Sequence, residues 1–449
     1  RCNCSGQGWE AWQVKNKDVP VGKLKRTAVT GSAMAKLGVK HLTYLGKKTF
    51  SEQDQIEHER QLGKTLFAAL SQLRGTALKV SQVLSMEADL LPVHIREELA
   101  KGCYQVPPLN RALIHKVFVQ EFNQAPGELF DQFNRHAFAA ASLGQVHQAS
   151  LANGKSVAVK VQYPGIASSI NSDVKILRGV MTTLAKTTDL LPDKQLVNRV
   201  LDEIEARLLE EVDYEFEAEQ TQWFKQQLAP LNVQVPEVYS DFSSDRVITT
   251  EFLQGLHLDE WLASNPSQSQ RNQVGQQLFD LFFFSLFKLN RLHADPHPGN
   301  FLFLPDGTIG LIDFGCVKTI DPAFPPQVAK TMSGLLPNGD ADSLLNTYKN
   351  LNMLAPDLSI DEFNQDVMPH LKPMHDWLIQ PFLQAEFDFA TKSPYPIKAI
   401  DNGKKAIAYL TGFHPDQIYF DRAFLGLMNM LHKIKSVVKT QNSHLIQEF

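Results

Sequence analysis

The sequence predicts an α+β fold in two lobes, one built on an antiparallel sheet and the other mainly helical. Residues 132–163 contain three segments of strand length, and an Asn153-Gly154 turn separates the last two. Residues 278–289 are largely apolar and long enough for a buried helix. Beyond Lys318 the chain alternates between helical segments and Pro-rich turns. Strands are therefore expected in the earlier lobe and helices in the later one.

The composition is that of an ordinary globular protein. The 449 residues are 43% hydrophobic and carry a formal net charge of −5, so no global field favours a nucleic-acid partner. Four cysteines are too few for a disulfide framework in a chain of this length. Cys2 and Cys4 lack the second pair that would complete a zinc site. No run of about eighteen apolar residues occurs, so we expect no transmembrane helix.

The stretch from 19 to 51 is basic and contains no Asp or Glu. Its basic residues are interspersed with apolar ones, which leaves three interpretations open. The stretch is a solvated arm, a contact for an anionic membrane surface, or a transit peptide, although it has few serines. The expected location is the cytoplasm, with peripheral membrane attachment and an organellar location left open.

The chain divides into four predicted segments. These are a basic arm (1–50), a helical segment (51–110), a sheet lobe with a helical insertion (111–253) and a helical lobe (254–449). A capping Ser51 followed by Asp54 predicts a helix start, and leucines at helical spacing extend this helix to about residue 86. Lys79 and Gln82 lie about one turn apart on the helix and share a face. Taken alone, these two residues indicate solvent exposure.

A loop of small residues lies between the first two predicted strands. It consists of Ala139, Ala140, Ala141 and Ser142. At this place a kinase folds its backbone over the nucleotide phosphates. Alanine restricts the backbone more than the glycines usual there, so this loop should be stiffer. Residues 157–160, Val-Ala-Val-Lys, end the third strand, and we expect the Lys160 ammonium to reach the α- and β-phosphates.

A dense acidic run, residues 210–217, lies near the end of the helical sequence from 166 to 227. Such a run is usually a solvated helix face, whereas a kinase site needs a helix-borne glutamate to anchor the strand lysine. Glu217 is the first candidate and Glu211 the second, because spacing alone does not say which side chain faces inward.

A second predicted hairpin spans residues 238–242 and 246–253, with a Ser-Ser-Asp turn between its arms. It ends in Glu251-Phe252-Leu253, followed by Gln-Gly. We expect this segment, with Glu251 and Leu253, to be the hinge whose backbone meets adenine.

Asp295, Asn300 and Asp313 form the strongest functional pattern in the sequence. Two short apolar runs, 301–304 and 308–312, are joined by an Asp-Gly turn that predicts a hairpin. Asp295 and Asn300 precede this hairpin, and Asp313 follows it. The layout is typical of phosphoryl transfer, in which one carboxylate orients the attacking hydroxyl or water. The amide and the second carboxylate would hold Mg²⁺, which prefers hard oxygen ligands.

Together these motifs resemble the UbiB/AarF atypical kinase family, which is linked to ubiquinone and other isoprenoid-quinone metabolism. The resemblance runs from about residue 46 to 320. The matching motifs are the Lys79 to Gln82 helix, the alanine loop with residues 143–147, the lysine strand with residues 161–166, the Glu211-Val-Asp213-Tyr element with Glu217-Ala, and residues 293–300 and 313–315. More faintly, Arg422-Ala-Phe-Leu-Gly-Leu resembles a C-terminal helix of the family.

The resemblance implies a protein-kinase-like fold in which the Lys79 helix packs over the active site, where a protein kinase would bind peptide. Lys79 would meet the carboxylates of Glu211 and Asp213, which leaves Glu217 for Lys160. One departure from the family pattern is Ser81, where the family has glycine. Because glycine is not intrinsically needed inside a helix, we expect this lid to survive.

The resemblance also implies a Mg²⁺-dependent atypical kinase or ATPase that binds ATP or ADP and supports isoprenoid-quinone biosynthesis. Asp295 would orient the acceptor, Asn300 and Asp313 would hold the metal, and Lys160 would neutralise phosphate charge. No Ala-Pro-Glu follows Asp313, which argues against peptide substrates. From the stiff alanine loop and the lid we expect slow ATP hydrolysis or self-limited transfer, which a lipid surface stimulates. The expected partners besides nucleotide are quinone-precursor lipids, an anionic membrane surface and quinone-biosynthesis proteins.

Two other functions remain open from the sequence. One is a small-molecule kinase of the aminoglycoside or choline kinase type, since His297 stands where protein kinases carry lysine. The other is a scaffold that binds nucleotide without turnover. The presence of every polar catalytic position makes the scaffold the weaker of the two.

Overall fold

The structure is a computed structural model that describes residues 52–70, 76, 80, 81, 84, 91–102, 111–141, 143–187, 194–393 and 409–440. The predicted basic arm, Lys79, Gln82 and Ser142 lie outside the described residues. The chain forms two compact units. The first takes the chain up to Asp213 together with Phe242–Val247, and the second takes Tyr214–Asp241 and the chain from Ile248 onward. Among the described helices, none is long and apolar enough to span a bilayer.

Helices make up much of the first unit. They are Glu52–Leu70 (α1), Val93–Gly102 (α2), Arg111–Phe122 (α3), Pro126–Leu129 (α4), Ile166–Thr187 (α5) and Lys194–Glu210 (α6). Leu62 and Leu66 of α1 pack with Ile95 of α2 in a core that also includes residues of α5 and α6. A Cβ placed on Gly63 would lie 2.9 Å from the Glu98 Cβ atom, so glycine allows α1 and α2 to approach closely.

The predicted helix beyond residue 70 agrees with the described positions there. Thr76, Val80, Ser81 and Leu84 are helical and at most 1% exposed. The helical sequence from 166 to 227, by contrast, does not form one helix. It contains α5, α6 and a third helix that belongs to the second unit. A turn at residues 211–213 separates α6 from this third helix.

The sheet of the first unit is antiparallel, as predicted. Its strands are Gln132–Phe133 (β1), Ala139–Ala141 (β2), Gly144–Ser150 (β3) and Ser156–Gln162 (β4). β3 pairs with β4 over seven residues, and β1 and β2 each pair with β3. The alanine segment was predicted as a loop, yet its first three residues form β2. Pairing with β3 satisfies the backbone groups of these alanines.

One face of this sheet is buried. Val157, Val159 and Val161 are 0% exposed, and Gln145 and His147 are at most 2% exposed. The Gln145 amide contacts His147 Nε2 at 2.8 Å, and His147 Nδ1 donates to the Asn134 carbonyl oxygen at 2.8 Å. Burial lowers the pKa of His147, so this imidazole is a neutral structural group. The other face is therefore the one available to a ligand.

The second unit is mainly helical. Its helices are Tyr214–Gln227 (α7), Leu258–Ala263 (α8), Gln268–Phe287 (α9), Phe324–Leu335 (α10), Ala341–Asn350 (α11), Ile360–Glu362 (α12), Met368–Ile379 (α13) and Gln417–Ile434 (α14). The predicted buried helix forms the later part of α9, which begins ten residues earlier at a capping box formed by Ser267 and Gln270. Phe279, Phe283 and Phe424 are at most 1% exposed and belong to one large core.

The second unit also contains short strands, some of which frame the predicted catalytic segment. They are Val233–Gln234 (β5), Val247–Glu251 (β6, which begins in the first unit), Arg291–His293 (β7), Phe301–Phe303 (β8), Ile309–Leu311 (β9), Val317–Thr319 (β10), Glu386–Asp388 (β11) and Val437–Lys439 (β12). β8 and β9 form the predicted hairpin, with Gly307 at φ +82° in its turn. β5 joins β9 in parallel, and β7 pairs with β10.

The other predicted hairpin forms only in part. Val238 pairs with Thr250 as an isolated bridge, but Ser240–Phe242 forms a 3-10 turn instead of a strand. The architecture as a whole is α+β, with an antiparallel sheet in one unit and mainly helices in the other. The four-segment division of the chain stays a prediction.

Candidate active site

Asp295 and Asn300 are hydrogen-bonded to each other in the loop that leads into the β8–β9 hairpin. The Asn300 Nδ2 atom donates to Asp295 Oδ2 at 2.9 Å and to the Asp295 carbonyl oxygen at 3.1 Å. Asn300 is placed by a short 3-10 turn, Pro298–Asn300, which His297 caps by accepting a hydrogen bond from the Gly299 N–H group. Because its nitrogen is bound to Asp295, the Asn300 amide offers its oxygen to a ligand.

Asp313 follows β9 and is held by the strands around it. Its Oδ1 atom accepts a hydrogen bond from the Gly315 N–H group at 3.0 Å, and its carbonyl oxygen accepts one from His293 Nε2. The Ile312 N–H group donates to the Asn300 carbonyl oxygen at 3.1 Å. Asn300 therefore lies across the hairpin from the residue that precedes Asp313. The three predicted residues belong to one local framework within the second unit.

Glu217, the first candidate for the helix-borne acid, lies on α7 beside the same loop. Its side chain is 4% exposed. A Cβ placed on Gly315 would lie 3.4 Å from Asp313 Oδ1 and 3.7 Å from Glu217 Oε2. Both carboxylates thus approach this glycine, which leaves room for two acidic side chains. The predicted pairing of Glu217 with Lys160 stays a prediction.

Contacts that the sequence did not reveal hold α7 against the Asp313 loop. The Arg291 guanidinium lies 4.1 Å from the centroid of the Trp223 ring, a favourable cation–π distance. The rings of Phe224 and Phe314 have centroids 5.1 Å apart, and both side chains are 0% exposed. Helix and loop share one core, which fixes the position of the acid on α7.

Helix α14 contributes a residue to which the sequence analysis assigned no role. The Arg422 Nη2 atom lies 3.4 Å from Asp295 Oδ1, and the two side chains are 23% and 30% exposed. One turn later, a Cβ placed on Gly426 would lie 2.2 Å from the Pro296 Cβ atom. The missing side chain is what lets α14 reach the Asp295 loop. The sequence signal for this contact was the faint motif resemblance that begins at Arg422.

The predicted hinge lies at the end of β6. The Glu251 N–H group donates to the Glu237 carbonyl oxygen at 2.8 Å, and the Glu251 carboxylate lies 3.8 Å from Lys225 Nζ. The Leu253 Cδ1 atom lies 3.1 Å from the position of a Cβ on Gly310, so this side chain packs on β9. The contact of these residues with adenine stays a prediction.

In the first unit, Lys160 lies on the same sheet face as the alanine strand. The register pairs Lys160 with Val146 and Val146 with Ala139, and directly paired residues point to the same face. All three side chains are half-buried. The lysine and the first alanine therefore share the open face of the sheet. Their contact with phosphate stays a prediction.

Glu211 and Asp213 lie in the turn after α6. Their N–H groups donate back to carbonyl oxygens of α6, and Gln162 Nε2 donates to the Val212 carbonyl oxygen at 2.9 Å. This bond ties the turn to the end of the lysine strand. Because Lys79 lies outside the described residues, its pairing with these carboxylates stays a prediction.

Ser81, the departure from the glycine of the family, is buried. Its Oγ atom has no hydrogen-bond partner among the described residues, which is a cost to stability. Nearby, the Thr76 hydroxyl donates to the buried Asp173 carboxylate of α5 at 2.9 Å, and Ser169 donates to the same oxygen at 3.1 Å. These bonds tie the described part of the helix to α5.

The donors in the second unit fit a magnesium–nucleotide. In the described part of the chain, no three His, Cys, Asp or Glu side chains gather as a metal cluster. Asn300 and Asp313 offer an amide oxygen and a carboxylate instead. Mg²⁺ is usually bound by one or two such protein oxygens together with phosphate and water. The chemistry of this pair therefore suits Mg²⁺ held against phosphates.

The chain is similar to known atypical kinases over most of its length. An uncharacterised protein of Synechocystis is 31% identical over 349 residues, which cover 76% of this chain and 59% of that protein. Protein ACTIVITY OF BC1 COMPLEX KINASE 3, chloroplastic, of Arabidopsis thaliana is 30% identical over 379 residues, 82% of this chain and 50% of that protein. Atypical kinase COQ8B, mitochondrial, of Danio rerio is 30% identical over 355 residues, 76% and 56% of the two chains. The chain thus spans less than two thirds of the length of each of these relatives.

Among solved structures, Rv3197 of Mycobacterium tuberculosis in complex with erythromycin has a similar fold. The TM-score is 0.59 and the identity 27%, and the match covers 87% of this chain and 97% of that one. The sequence profile of the ABC1 atypical kinase-like domain matches residues 103–348, more than half of the chain. The predicted α+β, kinase-like fold and the predicted UbiB-type relationship are both confirmed. The chain belongs to the ABC1 atypical kinase-like family.

Proposed function

We propose that this chain is a Mg²⁺-dependent atypical kinase or ATPase that binds ATP and serves isoprenoid-quinone biosynthesis. The observation that carries the proposal is the Asp295–Asn300 hydrogen bond, set in the same hairpin framework as Asp313. A base for the acceptor and two oxygen ligands for a metal are thereby held within one loop system. Phosphoryl transfer depends mainly on such positioning and on charge stabilisation.

Each residue receives one role in this proposal. Asp295 accepts the proton of the attacking hydroxyl or water, and the Asn300 bond with the Arg422 contact fixes the direction of its carboxylate. Asn300 and Asp313 hold Mg²⁺ through their oxygens. Lys160 on the open sheet face neutralises phosphate charge. When bound, Mg²⁺-ATP supplies the phosphoryl group, and the cation spreads its negative charge.

The remaining assignments rest on the sequence pattern and the family resemblance. Glu217 would anchor Lys160, the segment from Ala139 to Ser142 would approach the phosphates, and Glu251 and Leu253 would border adenine. Lys79 and Gln82 would form a lid together with Glu211 and Asp213. Quinone-precursor lipids, quinone-biosynthesis proteins and an anionic membrane surface are the proposed partners.

An ATPase assay on the full chain tests the enzymatic part. Turnover is measured with and without anionic liposomes for the wild type, for Asp295→Asn and for the exposed-surface control Asp361→Asn. We expect slow turnover that liposomes increase, loss of turnover in Asp295→Asn, and no effect of Asp361→Asn. Equal turnover in the wild type and Asp295→Asn would remove the proposed base, and no turnover in either protein would leave a nucleotide-binding scaffold.

The biosynthetic part needs a separate measurement. In the cells that express this chain, the gene is replaced by the Asp295→Asn version, and isoprenoid-quinone content is measured by chromatography. We expect the quinone content to fall and biosynthetic precursors to accumulate. An unchanged quinone pool beside lost ATPase activity would disconnect the enzyme from this pathway.

A small-molecule kinase is the second candidate. His297 is exposed beside the proposed base, and the solved relative Rv3197 was captured with a small molecule, erythromycin. Rapid phosphorylation of one soluble alcohol in a substrate screen would favour this function over lipid-linked hydrolysis. No transfer to any soluble alcohol would favour the first proposal.

A further inference from the structure

A cavity lies entirely within the second unit, between helices α10, α11, α13 and α14. Its volume is about 170 Å³, and it opens to solvent on one side. Its walls are mostly apolar, and Met332, Trp377, Phe420 and Phe424 among them are at most 6% exposed. A volume of this size holds a small apolar molecule or part of an alkyl chain, and these walls favour a lipophilic ligand. None of the residues assigned to phosphoryl transfer lines it.

Two buried polar side chains line the cavity. The Tyr348 hydroxyl lies 2.6 Å from His375 Nε2, and the two residues are 4% and 3% exposed. Burial lowers the pKa of His375 to about 4, so the imidazole is neutral and carries one proton. If the phenol donates to Nε2, that proton is on Nδ1, which has no hydrogen-bond partner among the described residues. His375 therefore keeps one ring N–H group without a hydrogen-bond partner among the described residues.

One carboxylate, Asp421, also lines the cavity, near its mouth. Its side chain is exposed, and Gln417 Nε2 donates to its Oδ1 atom at 2.7 Å. No lysine or arginine occurs among the described lining residues. Phe413, a neighbour at the same opening, is 57% exposed. An incoming ligand would thus meet a single negative charge and an apolar surface.

The electrostatics of the cavity agree with this geometry. Although the Asp421 side chain reaches solvent, the apolar side chains packed around it raise its pKa to about 6, because they solvate the charged form poorly. Burial and, to a smaller degree, the negative charge of Asp421 raise the pKa of the Tyr348 phenol. The negative charge of Asp421 therefore acts on the Tyr348–His375 pair. A cation beside Asp421 would offset this charge.

We propose that this cavity binds a lipophilic amine, with its ammonium on Asp421 and its apolar body between the walls. The lone carboxylate discriminates between three head groups that a lipophilic ligand can carry: a carboxylate, a hydroxyl and an ammonium. A fatty acid would place like charges together, and a neutral alcohol would leave the carboxylate without a counter-charge. An alcohol can donate one hydrogen bond to the carboxylate, but only an ammonium brings the opposite charge as well.

Three matched probes test the proposal on the full chain: decylamine, 1-decanol and decanoate, which differ only in the head group. Binding is measured by titration calorimetry at neutral pH and at probe concentrations below micelle formation. We expect decylamine to bind at least about tenfold more tightly than 1-decanol, and decanoate to bind most weakly. Equal affinities for the three probes would overturn the proposal.

Two variants locate the binding. Asp421→Asn should weaken decylamine binding about tenfold, to the level of 1-decanol, and leave 1-decanol affinity unchanged, which also shows that the cavity is intact. Met332→Trp fills the cavity and should weaken both probes, whereas Asp361→Asn should change neither. Retained amine preference in Asp421→Asn, or unchanged binding in Met332→Trp, would show adsorption elsewhere and end the proposal.

Discussion

The Arg422 guanidinium lies 3.4 Å from the Asp295 carboxylate, although 127 positions separate the two residues in the chain. Asp295 thereby has two directional partners, Arg422 on one oxygen and Asn300 on the other. A carboxylate held on both oxygens cannot rotate freely. The last described helix of the second unit, α14, therefore takes part in positioning the proposed base.

Replacing Arg422 by methionine should lower kcat about tenfold, which corresponds to about 1.4 kcal/mol in the barrier. The physical reason is that one oxygen of Asp295 loses its fixed donor. Because the pair is partly exposed, the change in the free energy of unfolding should stay below about 1 kcal/mol. The measurement is the steady-state ATPase rate beside a melting curve.

Lys433→Met is the matched control for Arg422. Lys433 lies on the same helix and forms an exposed ion pair with Asp259 at 2.5 Å, away from the Asp295 loop. The Lys433→Met substitution should leave kcat unchanged. If both variants lose the same activity, the loss reflects the helix in general and not the Arg422–Asp295 contact.

Gly426→Ala should lower both stability and turnover. Its Cβ would lie 2.2 Å from the Pro296 Cβ atom, so α14 and the Asp295 loop must move apart. Such overpacking typically costs about 1–3 kcal/mol. Gly179→Ala is the control, because a Cβ there meets nothing within 4 Å and alanine favours a helix interior. Melting curves that place Gly426→Ala at or above Gly179→Ala would contradict the packing argument.

Asp313→Asn should weaken Mg²⁺-dependent nucleotide binding at least about tenfold, or about 1.4 kcal/mol. An amide still accepts the Gly315 N–H bond but brings no negative charge to the metal. The measurement compares ATP affinity with Mg²⁺ and with EDTA for wild type, Asp313→Asn and Asp361→Asn. A magnesium dependence that survives in Asp313→Asn would remove this residue as a metal ligand.

The second unit should lose stability in acid through His375. The folded-state pKa of His375 is about 4, below its ordinary value of 6.5, so the unfolded chain binds the proton first as the pH falls. The stabilising effect of the neutral imidazole is complete above pH 6.5 and is lost between pH 6.5 and about 4. The shift corresponds to about 3 kcal/mol.

His375→Gln tests this sign, because glutamine keeps hydrogen-bonding capacity without a titration. Urea unfolding followed by tryptophan fluorescence should show the stability difference between wild type and variant shrinking or reversing in favour of the variant between pH 6.5 and pH 4. The difference is compared because Asp421, with its pKa raised to about 6, titrates in the same range with the opposite sign. A constant difference across this range would mean that His375 is not buried in its neutral form.

Much of the fold followed from local patterns in the sequence. The Asp-Gly turn between two apolar runs predicted the β8–β9 hairpin, and the order of Asp295, Asn300 and Asp313 around it predicted their association. The turn residues of a hairpin and the strands beside them interact over a few positions, so a hairpin can be predicted from the sequence. The alanine segment was harder, because small residues fit either a loop or a strand, and pairing with β3 decided for the strand.

The sequence by itself determined the class of the fold, the family and the side chains that surround the hairpin, since these depend on short-range turn chemistry and apolar periodicity. Only the tertiary structure decided that Arg422 and Gly426 meet the Asp295 loop, that Arg291 and Phe224 hold α7 beside Asp313, and that four helices enclose a cavity with one carboxylate. Such contacts arise when elements far apart in the chain pack their surfaces together. The spacing of residues along the chain does not predict which of these surfaces will pack together.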